Sequence, residues 1–444
     1  MAHPQIINLT PATNTDQQRA LDEVRDFALT DMDRGGDERW AYRMLQEPAL
    51  SEELTKLAEP RTSPAGTVDS VSFQPCKTWH YRTQDRYRVE EWPLSGGTWT
   101  YAAVYDGHMN HDCVDYVSTA FGPHLRGLLD ASLRSRPSPS ALSALVSNLL
   151  RQTLEYVDQT MTSDFLALFP RELDAVSRLN PTHVRNLVND KTTASSSYHK
   201  TARAFGGSTA LVTLVDPTRS HLWVANVGDC VAVLAEKDRS GKWRGSIVNS
   251  IHNGSNPGEL ARIRAEHPGE PDCVWNNRVL GFLAPTRSLG DVWLKLPAVY
   301  AELVFKYMDA DWFSPESMQP HVPRIRTPPY LSNTPDVYHY DFSAIAQKPS
   351  APSQRALILC SDGLTDLYDG YTPQEMADEW VQVIGRELDS SSGPNPSRPS
   401  RNLALSLLRE AIGGSDTQLV SRNMTVEMEE RWMDDTTILV QRLP

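Results

Sequence analysis

Four times along this chain a strand-prone run meets aspartate at its end. Ala102-Ala103-Val104-Tyr105 runs into Asp106-Gly107, and Leu357-Ile358-Leu359-Cys360-Ser361 runs into Asp362-Gly363. Val227-Gly228 leads to Asp229, and Asp434-Asp435 stands directly before the run Thr436–Gln441. A strand holds its residues rigidly, so a carboxylate at its end projects from the rim of the core. Glycine beside it allows close backbone approach, so a main-chain carbonyl can face a ligand as well. Each instance alone is also an ordinary turn. Four of them, each tied to a strong strand, point to one shared site. Aspartates gathered on one spot repel and resist ionising together. A hard divalent cation reverses that cost, because Mg²⁺ and Mn²⁺ prefer carboxylate, carbonyl and water oxygens. The pattern therefore predicts an all-oxygen, two-metal site. His108 follows Asp106-Gly107 directly, and imidazole titrates near neutral pH, which makes it a candidate general acid.

The remaining patterning is mixed. Strands are predicted at Thr98–Tyr105, Ser208–Val215, His221–Val227, Cys230–Ala235, Ala356–Cys360 and Thr436–Gln441. Turn signals at Asp216-Pro217 and Gly228-Asp229 make the middle group a meander. Leu142, Leu145, Val146, Leu149 and Val157 form an amphipathic stripe, and Val114–Leu133 also reads as helix. Strands beside one another with helices between them give an α+β fold. Near the N-terminus, Thr15 and Gln18 fit a capping box, with Leu21, Val24 and Ala28 on one helical face. A Pro/Ser/Gly-rich patch at 59–67 sets a boundary near residue 70. This gives an extension over 1–70 and a catalytic domain over 71–444.

Composition excludes some classes. The 444 residues carry 43 Lys and Arg against 56 Asp and Glu, a net charge of −13. That argues against nucleic-acid or anionic-membrane binding, which needs a basic surface. No apolar run is long enough to span a bilayer. The five cysteines, Cys76, Cys113, Cys230, Cys273 and Cys360, are odd in number and share no CxxC spacing. They suggest neither a disulfide framework nor a zinc site.

In order along the chain, YAAVYDGH (101–108), GSTA (207–210), VANVGDCVAVL (224–234), TRSLGD (286–291), LILCSDGL (357–364) and DDTTILV (434–440) resemble the metal-dependent protein serine/threonine phosphatases of the protein phosphatase 2C family. Within it, His252-Asn253, Asn256, Glu259, RIRAEHP (262–268), Leu280–Leu283 and TPPYLSNTPDV (327–337) look like the pyruvate dehydrogenase phosphatase branch. The resemblance implies a four-layer α-β-β-α sandwich of two mainly antiparallel sheets, overriding the three domains that length alone suggests. It implies that Asp106 bridges two Mg²⁺ or Mn²⁺ ions, that the Gly107 carbonyl binds one, and that Asp362 and Asp434 hold the other. Asp229 and Asp366 match positions that hold a weaker third ion in some members. His108 matches the general acid for the leaving alkoxide. The nucleophile implied is water activated between the cations, with no phosphoenzyme.

Departures from the family pattern are local. Gln84-Asp85 stands where Glu-Asp is usual, which puts Gln84 and Asp85 at an outer-shell metal water. His80 occupies the place of the family's phosphate-binding arginine, so Arg82 or Arg86 is the candidate substitute. Asp291 reads as a structural hydrogen-bonding residue. These changes leave two readings open beside the phosphatase: a pseudophosphatase that binds phosphoproteins, and a hydrolase of small phosphate esters. The expected substrate is a phosphorylated protein, in the suspected branch a pyruvate dehydrogenase-like complex, and the expected state is a monomer. That branch points to the mitochondrion. From Met1 to Arg34, however, three basic residues face six acidic ones, unlike a transit peptide, which keeps cytoplasm and nucleus open.

Overall fold

Tyr101, Ala102, Ala103, Val104 and Tyr105 are all buried, because the strand they form is covered on both faces. The computed structural model describes residues 26–76, 83–193, 196–311, 313–343, 354–391 and 401–443. Ten main strands carry the fold: β1 (Val68–Phe73), β2 (Arg86–Leu94), β3 (Gly97–Tyr105), β4 (Ala210–Val215), β5 (His221–Val227), β6 (Val231–Lys237), β7 (Trp243–Ile247), β8 (Asp336–Asp341), β9 (Gln354–Cys360) and β10 (Thr436–Leu443). They form two antiparallel sheets. One has the order β8-β5-β4-β3-β2; the other runs β7-β6-β9-β10-β1, with the two-residue strand Arg61–Thr62 at its edge.

Side chains alternate across the pleat, and the alternation divides the core. Ala102 and Val104 of β3 join Leu211, Val224, Ala232, Leu357, Leu359 and Leu439 in the layer between the sheets. Tyr101, Ala103 and Tyr105 point the other way, toward Val114, Val117 and Phe121 of helix α1 (His111–Leu133) and Val146, Leu150 and Leu154 of α2 (Pro139–Leu166). Trp92 stacks on Tyr101 with centroids 4.6 Å apart. On the far sheet, helix α6 (Pro373–Ser391) lies against β7, with Gln374 donating to the Gly245 carbonyl at 3.1 Å. The order helix, sheet, sheet, helix is the four-layer α+β sandwich expected. Shorter helices between α2 and α6 in the chain include α3 (Ser197–Phe205), α4 (Pro257–Glu266) and α5 (Asp362–Asp366).

The two long predicted helices and most predicted strands form. The run Ser208–Val215 is broken at Thr209, for a reason the site explains. Four strands carry no clear apolar signal in the sequence. β2 and β8 are half-buried edge strands rich in charge, β1 is interrupted by the buried Asp69, and β7 alternates with exposed residues. Most of the proposed N-terminal helix lies outside the described residues. Ala28, assigned to its face, belongs instead to strand Phe27–Thr30, which pairs with Trp40–Arg43.

The chain forms two compact units, where the sequence suggests one cut near residue 70. The larger holds 58–74, 82–408 and 434–444, and contains both sheets. The smaller joins 1–57, 75–81 and 409–433. In it Tyr42, Val426 and Met428 pack with Trp40 and Trp432, and the Thr425 hydroxyl accepts from the Arg43 amide at 2.9 Å. No helix among the described residues is long and apolar enough to cross a membrane.

Candidate active site

Antiparallel register brings the four aspartate-bearing ends together. Val104 pairs with Leu211 and Val227 with Ala210, so the exits of β3 and β5 meet at the entry of β4. In the other sheet Val231 pairs with Cys360 and Cys360 with Ile438, which aligns the entry of β6, the exit of β9 and the entry of β10. Asp106, Asp229, Asp362 and Asp434 occupy those ends. Carboxylate oxygens of Asp106, Asp229 and Asp362 lie within 4.8 Å of one another. Asp434 stands close enough that its charge acts on Asp106, Asp362 and Asp366.

The electrostatics follow from that crowding. Burial, then the charges of Asp362, Asp85, Asp229 and Asp434, holds the Asp106 carboxyl well above its ordinary value. Asp362 is raised in the same way by burial, Asp229 and Asp434. Asp229 is pushed up to about 6, chiefly by burial. Asp366, on α5, is raised by desolvation and by Asp434. Among the described residues, Asp229 Oδ1 is buried with no hydrogen-bond partner. An all-oxygen donor set, mutual repulsion and an orphaned buried oxygen all fit a divalent cation, whose charge would compensate them.

His108 owes its place to a three-stranded patch of two-residue strands, in the order Leu289–Gly290, Gly207–Ser208, Gly107–His108. Thr209 breaks the longer predicted strand because it caps the Asp106 turn. Its amide donates to the Asp106 carbonyl at 2.8 Å, and its hydroxyl accepts from the Asp106 amide at 3.2 Å. The patch sets His108 Nε2 2.9 Å from Asp291 Oδ2, and Ser288 Oγ donates to the same oxygen at 2.6 Å. Burial alone would favour the neutral ring, but the Asp291 carboxylate, with help from Asp229 and Asp434, outweighs it and raises the His108 pKa. Only glycine fits at 207, where a Cβ would lie 2.0 Å from His108 Nε2 and 2.2 Å from Asp291 Oδ2.

The other predicted residues divide. Asp85 is buried, accepts from Ser361 Oγ at 2.6 Å, and is raised well above its ordinary value by burial and by Asp435. Gln84 donates its backbone amide to Asp435 Oδ2 at 2.8 Å, and its carbonyl packs against Gly107. His80 and Arg82 lie outside the described residues. Arg86 is not a spare phosphate ligand: its guanidinium is held by Asp115 at 2.6 Å and by the Thr83 and Asp85 carbonyls.

The branch-like loop motifs converge as well. Glu259 accepts from Arg287 at 2.6 Å and from Arg262 at 2.9 Å, and Arg287 also reaches Asp336 at 3.2 Å. Asp336 pairs with His252 at 3.0 Å, and His252 Nδ1 accepts from the Gly228 amide at 3.2 Å. This network braces the turn that presents Asp229, where Gly228 takes the left-handed φ of 112°. Despite burial, the two arginines hold the Glu259 carboxyl down to about 2.

Comparison with known proteins agrees with this architecture. The protein phosphatase 2C family model matches residues 70–404. A protein phosphatase 2C homolog of Schizosaccharomyces pombe is 26% identical over 388 residues, covering 83% of this chain and 78% of the relative. The mitochondrial [pyruvate dehydrogenase [acetyl-transferring]]-phosphatase 1 of Saccharomyces cerevisiae is 28% identical over 54% of this chain, and human phosphatase 2 of that name is 34% identical over 37%. The matches span only 47% and 29% of those two proteins. The crystal structure of serine-threonine phosphatase 2C from Toxoplasma gondii superposes with a TM-score of 0.50, covering 87% of this chain and 97% of that one at 16% identity. The chain belongs to the protein phosphatase 2C family of metal-dependent protein serine/threonine phosphatases.

Proposed function

We propose that this protein hydrolyses phosphoserine and phosphothreonine on proteins at the Asp106–Asp229–Asp362 cluster. The observation that carries the reading is that cluster, within 4.8 Å, beside a histidine held by a buried carboxylate. Asp106, the Gly107 carbonyl, Asp362 and Asp434 would hold two Mg²⁺ or Mn²⁺ ions, and Asp229 and Asp366 would hold a third. Such ions supply a water of lowered pKa and neutralise phosphate charge during in-line attack.

The chain's own residues do the rest. The Ser361 hydroxyl joins Asp85 and the Asp435 carbonyl beside the cluster, where the Asp85 charge acts on Asp106. His108, protonated, donates from Nδ1 to the departing seryl or threonyl oxygen while Nε2–H stays on Asp291. The alkoxide leaves as an alcohol, and the ring becomes neutral. Burial of Asp291 keeps water from competing for that bond. No nucleophilic cysteine or serine is required, and all five cysteines are buried.

Hydrolysis of a phosphothreonine peptide with Mn²⁺, with and without EDTA, tests this reading. Activity that is metal-dependent and abolished by Asp362→Asn is expected. Metal-independent hydrolysis, or binding without turnover, would overturn it in favour of a binding module. Nothing among the described residues of the site favours that second reading.

The relatives' names support a finer proposal, that the substrate is a pyruvate dehydrogenase-like complex in the mitochondrion. Release of phosphate from phosphorylated pyruvate dehydrogenase, and the compartment of a C-terminally tagged protein, test substrate and location separately.

A further inference from the structure

Asp158 lies on α2, 50 residues beyond His108, and belongs to none of the motifs above. It is 4% exposed and fully engaged. Oδ1 accepts the Gly290 amide at 2.8 Å and Lys295 Nζ at 2.9 Å, and Oδ2 accepts from Asn333 Nδ2 at 2.8 Å. Lys295, 10% exposed, also donates to the Ser288 carbonyl at 2.9 Å. A buried ion pair is weak evidence for stability in itself, since desolvation offsets much of the attraction. What this pair grips is more telling.

Gly290 and Asp291 are consecutive residues with left-handed φ, 77° and 47°. An aspartate in that conformation is uncommon and must be held there by its surroundings. Three bonds hold it. Asp158 takes the Gly290 amide, Lys295 takes the Ser288 carbonyl, and the Gly206 carbonyl takes the Asp291 amide at 2.9 Å. With the backbone fixed on both sides, the Asp291 carboxylate turns Oδ2 toward Ser288 Oγ and His108 Nε2.

We propose that Asp158, with Lys295 and Asn333, is a positioning element for the general acid: it fixes the Gly290–Asp291 kink and through it the His108 ring. The inference rests on the acid role given to His108 above. A residue that acts through the acid affects poor leaving groups more than good ones. A serine or threonine alkoxide must be protonated as it departs, whereas p-nitrophenolate need not be.

The test uses the full chain with Mn²⁺. Turnover of a phosphothreonine peptide and of p-nitrophenyl phosphate is compared for Asp158→Asn and Asn333→Ala, each alone and combined with His108→Ala. Asp158→Asn is expected to lower the peptide-to-aryl ratio of kcat by about tenfold, and the more exposed Asn333→Ala by less. Neither should lower it further in the His108→Ala background, because effects that share one route are not additive. Equal losses on both substrates, or full additivity with His108→Ala, would overturn the inference and leave the pair a stability element. If His108→Ala itself leaves the ratio unmoved, the acid reading falls and the inference with it. If His108→Ala lowers the ratio and neither Asp158→Asn nor Asn333→Ala does, the inference alone falls. Should Asp158→Asn not fold, Asn333→Ala carries the test, because it keeps the ion pair.

Discussion

His108 Nε2 and Asp291 Oδ2 are 2.9 Å apart across 183 residues of sequence. The carboxylate is fully buried and the ring only partly so, at 21% of its side chain. In the proposed mechanism this bond sets which ring nitrogen remains for the substrate and how long the ring stays charged as pH rises.

That charge state gives the first prediction. Against the effect of burial, Asp291 raises the His108 pKa, so the protonated acid persists to higher pH than an unpaired buried histidine would allow. Asp291→Asn removes the charge and lowers that pKa. The alkaline limb of the kcat profile on a phosphothreonine peptide should therefore move to lower pH, with kcat at neutral pH falling about tenfold or more. An unmoved limb would separate Asp291 from the acid.

The second prediction concerns the carboxylate cluster without metal. Asp106, Asp229 and Asp362 all have raised pKa values in the folded state, Asp229 about 6. The unfolded chain ionises them at about 4. Between those values the folded protein holds more protons, so this contribution to stability falls as pH rises through the window. In EDTA at pH 7.5, Asp362→Asn should melt a few degrees higher than the unsubstituted protein, on the order of 1 kcal/mol. Mn²⁺ should reverse the order. Thermal unfolding followed by circular dichroism checks both, and a lower melting point for the variant in EDTA would contradict the argument.

A third test is steric. A methyl group at 207 would fall 2.0 Å from His108 Nε2 and 2.2 Å from Asp291 Oδ2. Gly207→Ala must part the pair, with an expected loss of about 10²-fold in kcat on phosphopeptides. KM should change little. The His108 ring NMR signals should show the lost bond.

The fourth prediction isolates the brace behind Asp229. The Glu259 side chain is 6% exposed and held by two arginines. Glu259→Gln leaves Arg287 short of a buried counter-charge and should cost about 3 kcal/mol by urea unfolding. Because the folded pKa is lowered to about 2, the ionised glutamate's stabilisation is present above its ordinary value and is lost as pH falls toward 2. The deficit of the glutamine variant should therefore shrink in acid.

The sequence by itself determined the strands that end in aspartate, the two long helices and the candidate metal donors. These are local signals: period-two and period-3.6 patterning, and a turn residue beside a carboxylate. Even the family's spaced motifs were legible, because each is a contiguous run. Only the tertiary structure decided that Asp106, Asp229, Asp362 and Asp434 share one end of the sandwich, since antiparallel register joins residues by pairing and not by spacing. It also decided the partners of Asp291, which the sequence offered only as a structural hydrogen-bonding residue, and fixed Arg86 in a structural role. Asp158 left no trace in the pattern at all. A buried charge on a helix reads in sequence like any exposed one, and its meaning comes from the partners that folding brings to it. The same holds for the edge strands Arg86–Leu94 and Asp336–Asp341, whose half-buried, charged residues become strands only because a neighbouring strand supplies the hydrogen bonds.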